Sequence, residues 1–178
     1  MTENGDVKYV YLETKMKIHP ISSAFHEAGH VVAANVLGYR VDLAAVYAEP
    51  LYMGQASLLD EKMYELGGVN ILWPSDISGR ERDVIMVDLA GPAAAMRRAK
   101  KRRPIQTKIW ADDLGQAILM ATRIASTHEE GETLINELFK RARKLLGAHW
   151  PKVEAVATAL LERQTLGELD LQRIIREQ

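Results

Sequence analysis

The chain has 178 residues, 23 Lys+Arg against 24 Asp+Glu for a formal charge of −1, 47% apolar residues and no cysteine. These values describe one soluble globular domain. They exclude a disulfide framework, a thiol nucleophile and a cysteine-ligated metal site, and they offer no overall field to hold a polyanion, so nucleic acid is not an expected partner.

Metal ligands, if present, must come from Asp, Glu and the histidines His19, His26, His30, His128 and His149. The apolar run from Val84 to Met96 contains Asp88, Gly91 and Pro92 and falls short of the roughly 20 residues a membrane helix needs. The N-terminus has no apolar core of signal-peptide length. No membrane association is expected, and the sequence reads as cytoplasmic and unanchored.

In chain order, residues 1–19 form a polar segment with one alternating patch, Lys8 to Glu13, that suits a short strand. From Pro20 the pattern is helical: Ser22 and Ser23 offer an N-cap, Phe25, Val31, Val32, Val36 and Leu37 mark apolar stripes, and Gly38 supplies the stop. Tyr39 to Leu59 carries Val and Tyr residues punctuated by Pro50 and Gly54, which predicts two or three short strands. Asp60 to Ser78 reads as irregular connection. Helices are predicted around Arg80–Lys101, Asp112–Ser126, His128–Leu146, Pro151–Arg163 and Glu168–Arg176. The third of these opens with a capping box, Thr127 to Glu130, and carries a buried stripe of Leu134, Ile135, Leu138, Phe139, Ala142, Leu145 and Leu146. The fold class is mainly α (α+β), with a small sheet after the first helix.

That first helix contains His26-Glu27-Ala28-Gly29-His30, an HExxH motif. Four residues turn a helix by 400°, so the two imidazoles sit about 40° apart and one turn, roughly 5–6 Å, along the axis. Both nitrogens can then reach one ion at the roughly 2.0–2.1 Å that zinc requires. Glu27 lies 100° round from His26, close enough to act as general base on a water at the metal without taking a ligand position. For this composition a chance HExxH is expected on the order of 1% of the time. Gly29 inside the helix points the same way, because Gly there costs about 1 kcal/mol relative to Ala and marks a close packing or functional need.

A catalytic zinc needs a third protein ligand and an open position. His19, His128 and His149 sit at helix boundaries, where capping or exposure is the commoner role, so a carboxylate is the better candidate. Glu49, Glu61, Glu65, Asp83, Asp88, Asp112 and Asp113 all qualify, and spacing does not choose among them.

Four ordered segments resemble the peptidase domain of the FtsH-type ATP-dependent zinc metalloproteases. AFHEAGHVVAANVLG resembles that family's zinc helix AYHEAGHALVA, and VDLAGPAAAMRR resembles LLGGRAAEEL. WADDLGQAILMATRIA resembles the NDLxxAT-IA segment. The stretch from Arg141 to Ile175 resembles the helical tail with its ALLExETLxGEE pattern. The resemblance implies a helical zinc peptidase over residues 20–178, with a metal-site part at 20–126 and a helical tail at 127–178. It implies Zn²⁺ held by His26, His30 and Asp113, the last matching the Asp of NDL, with Glu27 catalytic. Asp112, where the family has Asn, is left as partner of a ligand or as helix cap.

Departures from the family are equally specific. Neither an AAA+ module nor a Walker A pattern is present, so a domain standing apart from ATPase and anchor is expected, with peptides or unfolded protein as substrate and a separate ATPase or a homo-oligomer as further partners. The family's Arg-Ala-Ala-Glu-Glu run is Pro92 to Met96 here. Six cations in seven residues from Arg97 to Arg103 suit a solvated helix C-terminus, where cations meet the negative dipole end, with a nucleic-acid patch or docking of an acidic partner as the sharper alternatives. An edge between Val46 and Leu59 is a candidate for strand addition by substrate. The competing reading is a non-catalytic zinc-containing interaction module.

Overall fold

Helix α1 (Pro20–Val36) runs through the middle of the molecule, and every residue from Ser23 to Ala34 is buried. The computed structural model describes residues 20–46, 67–100 and 111–178. After α1 come β1 (Arg40–Val46), β2 (Gly67–Leu72), α2 (Glu81–Arg98), α3 (Ala111–Ile124), α4 (His128–Ala148), α5 (Trp150–Arg163), β3 (Thr165–Gly167) and α6 (Glu168–Arg176). The architecture is mainly helical, with one small antiparallel sheet in the order β2-β1-β3. The expected strand at residues 8–13, the strand material and edge beyond Val46, His19, Glu49, Glu61, Glu65 and the cations at 101–103 lie outside the described residues.

Several boundaries correct the sequence reading. Because α1 already begins at Pro20, Ser22 and Ser23 lie inside its first turn and do not cap it. Its end is as expected: Gly38 adopts φ +87°, and its N–H bonds the Asn35 carbonyl while that of Tyr39 bonds Ala34, a closure that a left-handed residue permits. The stretch read as irregular contains β2, which pairs with β1 from Arg40↔Leu72 to Val46↔Gly67. Two glycines and an asparagine hid it, since intrinsic strand preference is weak and cross-strand pairing supplies the stability. β3 escaped for the same reason. It is three residues long, yet Leu166 is fully buried and pairs with Ala44.

The capping box at α4 is shifted by one residue on one side. Thr127 accepts from the Glu130 N–H, while the Glu130 carboxylate reaches past Thr127 to the N–H of Ser126. Along α4, Leu134, Leu138, Ala142 and Leu146 are buried, with Ile135, Phe139 and Leu145 packed beside them.

Two apolar clusters organise the interior. The larger gathers α1, the sheet, α2, α5 and α6 around Val31, Val32, Val153, Leu160 and Leu166. The smaller joins Ile85 and Leu89 of α2, Ala117, Met120 and Ala121 of α3, and Leu134 and Leu138 of α4. It is this smaller cluster that holds α3, and with it Asp113, against the rest of the molecule. At the end of α2 the Arg97 and Arg98 guanidinium groups lie over the rings of Trp150 and Phe25, 4.4 Å and 5.4 Å from the centroids. The described start of the basic run thus combines solvent exposure with stacking.

Candidate metal centre

Three ionisable side chains, His26, Glu27 and His30, are buried in α1 together with Ser23, among residues that are otherwise small or apolar. Burial of this kind is costly unless the groups are engaged. His30 donates from Nδ1 to the Val87 carbonyl of α2 at 2.8 Å. That bond selects the tautomer and leaves the Nε2 lone pair facing inward. There it lies 3.0 Å from Nε2 of His26. Across the gap, Asp113 in the first turn of α3 places Oδ2 2.9 Å from His26 Nε2 and Oδ1 3.6 Å from His30 Nε2.

Among the described residues, His26, His30 and Asp113 form the one group of potential ligand atoms all within 4.8 Å of one another. The fit to zinc rests on this donor set. Two imidazole nitrogens and a carboxylate oxygen match the ion's chemistry, and separations of 2.9–3.6 Å bracket the roughly 3.3 Å between ligands about 2.05 Å from a tetrahedral ion.

Two glycines allow the approach. A Cβ built on Gly29 of α1 would lie 2.5 Å from the Ala90 carbonyl oxygen of α2, and one on Gly91 of α2 would lie 2.2 Å from His30 Nε2 and 2.8 Å from His26 Nε2. The sequence flagged Gly29 as out of place in a helix. Gly91 is a residue it missed, since nothing in the local pattern says which helix its bare face meets.

Electrostatics follow from the same geometry. Burial pushes the pKa of His26 down, but the hydrogen bond to Asp113 and the charges of Glu27 and Asp113 together outweigh it, and the net direction is up. For His30 burial prevails, helped by the charge of His26, and the value falls to about 4. Burial raises the Asp113 carboxyl, yet the hydrogen bond to His26 and the charges of both imidazoles bring it below its ordinary value. Asp88, on α2, is pushed up to about 7, first by burial and then by the charge of Asp113.

The remaining candidates are dispersed. Asp112 is exposed on the first turn of α3. Asp83 accepts a hydrogen bond from Tyr39 at 2.7 Å. His128 is exposed beside Glu132, and His149 stands at the junction of α4 and α5. Asp88 is the one further carboxylate of the original candidates that is electrostatically coupled to the group, and it is not among its potential ligands.

A group of two histidines and an aspartate brought together from two helices, with a glutamate following the first histidine, has the composition of a metal-dependent hydrolytic site. The chain is similar to the ATP-dependent zinc metalloprotease FtsH of Acidimicrobium ferrooxidans, 27% identical over 181 aligned positions that cover 86% of this chain and 27% of the relative. It is also similar to the ATP-dependent zinc metalloprotease FtsH 1 of a Thermoanaerobacter species, 26% identical over 85% of this chain and 29% of the relative. This chain thus spans less than a third of the length of these relatives. No protein-family model matches it. Among the described residues no helix is long and apolar enough to cross a membrane.

Proposed function

We propose that this chain is a zinc-dependent metallopeptidase that hydrolyses peptide bonds in peptides or unfolded segments, with His26, His30 and Asp113 as metal ligands and Glu27 as general base. The convergence of those three side chains within 4.8 Å, beside a buried glutamate, is the observation that carries the reading, and the similarity to zinc metalloproteases supports it.

When bound, zinc supplies a Lewis acid that lowers the pKa of a water and polarises a carbonyl. Glu27 takes the proton from the attacking water and later gives it to the nitrogen of the leaving amine. His30, held by the Val87 carbonyl, keeps its Nε2 lone pair turned inward and unprotonated at neutral pH. Asp112 serves as cap of α3 or as partner of the neighbouring ligand. Residues 20–178 act as one peptidase unit, the metal-site part at 20–126 supported by the tail at 127–178. The domain works in the cytoplasm on chains that are already flexible. Folded substrates would need an ATPase to unfold them.

Metal analysis paired with proteolysis of casein tests this. Wild type and Glu27→Gln should hold equal zinc, with cleavage reduced about 10²–10⁴-fold in the variant. Zinc in both and cleavage of no substrate by either would overturn the peptidase reading in favour of a zinc-containing interaction module.

A further inference from the structure

Asp88 is left over once the metal group has been assembled. It sits on α2 three residues before Gly91, and a three-residue step returns to the same face of a helix. That face meets the imidazoles, because Gly91 backs both Nε2 atoms and the Val87 carbonyl holds His30. Oδ2 of Asp88 is shut away from solvent and has no hydrogen-bond partner among the described residues. Among the described residues no ion pair includes Asp88.

Charge counting sharpens the point. With the two imidazoles neutral, the carboxylates of Glu27 and Asp113 balance one divalent ion. Asp88, when ionised, is then an additional negative charge that no ion pair among the described residues neutralises. A partly buried carboxylate without a donor is costly, and an apolar side chain of similar size would be more stable there. An isolated acid of this kind beside a reactive centre is a candidate for recognition of a cation.

We propose that Asp88 is an anionic subsite that receives a positively charged nitrogen group of the peptide substrate, an alkylammonium or guanidinium, next to the scissile bond. This rests on the reading that peptides enter the metal centre. A Lys or Arg side chain and a free N-terminal ammonium share the required chemistry. Either can donate N–H bonds to the Asp88 carboxylate.

The test uses binding as well as cleavage. The full-length, zinc-loaded Glu27→Gln protein is titrated calorimetrically with short peptides of Ala, Gly and Ser, blocked at both ends, in which one Lys is walked along the chain and then replaced by norleucine. A third set carries a free N-terminus and no Lys. At one position Lys should bind about tenfold more tightly than norleucine. If only the free-terminus peptides gain, the cation is the α-ammonium group. Asp88→Asn, and Asp88→Leu as a second variant, introduced into the same background should abolish the gain while zinc content is unchanged. Equal binding of Lys, norleucine and free-terminus peptides would overturn the proposal, as would a preference that survives both substitutions or a loss of zinc in them. Charge-dependent binding without cleavage of any peptide by wild type would overturn the peptidase reading and leave the subsite standing.

Discussion

Gly91 of α2 and His30 of α1 are packed so closely that a Cβ on the glycine would stand 2.2 Å from the Nε2 of the histidine. No rotamer of Ala removes that overlap, so the helix or the imidazole has to move. On the reciprocal side, a Cβ on Gly29 would stand 2.5 Å from the Ala90 carbonyl oxygen, so there the obstacle is the backbone of the facing helix.

The two glycines therefore separate function from fold. Gly91→Ala is expected to lower zinc affinity on the order of 100-fold while the chain stays folded, read by competition with a chromogenic chelator and by circular dichroism. Gly29→Ala should act on stability first, by about 1–3 kcal/mol from overpacking, read as a lower urea midpoint of the metal-free protein.

Asp113 and Asp112 are adjacent but differ in exposure and in partners. Asp113→Asn should cost about 100-fold or more in zinc affinity, because a neutral amide replaces the charged ligand. Asp112→Asn should stay within about tenfold. The opposite order in equilibrium dialysis would shift the ligand assignment by one residue.

The Asp88 carboxyl is raised from 3.8 to about 7, so the folded metal-free protein holds this proton through a range where the unfolded chain has released it. Its contribution is thus a penalty that is absent below pH 4, grows between pH 4 and 7, and is complete above 7. Asp88→Asn should accordingly stabilise the metal-free protein at pH 8, by at most about 4 kcal/mol, and leave it unchanged at pH 3.5. Urea unfolding at the two pH values reads this. Zinc loading should shrink the gain, since the ion's charge favours the carboxylate.

Leu138 of α4 is 2% exposed in the small cluster that holds α3. Leu138→Ala should cost about 2–5 kcal/mol. Because Asp113 rides on α3, zinc affinity should fall as well, although Leu138 is no part of the metal group. Val153→Ala in the larger cluster offers the comparison: a stability loss with a smaller effect on zinc.

The amino-acid sequence by itself determined the helical character, the order of the helices and the two histidines with their glutamate. These are local properties: periodicity sets a helix, and a four-residue step sets two imidazoles on one face. It left the third ligand open among seven carboxylates, and family resemblance, not spacing, singled out Asp113. It also read β2 as loop and passed over β3, because GGVNIL and TLG have little strand preference until β1 supplies the partner. Only the tertiary structure decided which carboxylate meets the imidazoles, that Gly91 clears the space for them and that Asp88 Oδ2 is buried without a partner among the described residues. Each depends on how α1, α2 and α3 pack across long stretches of chain, and contact between distant residues leaves no period in a single sequence.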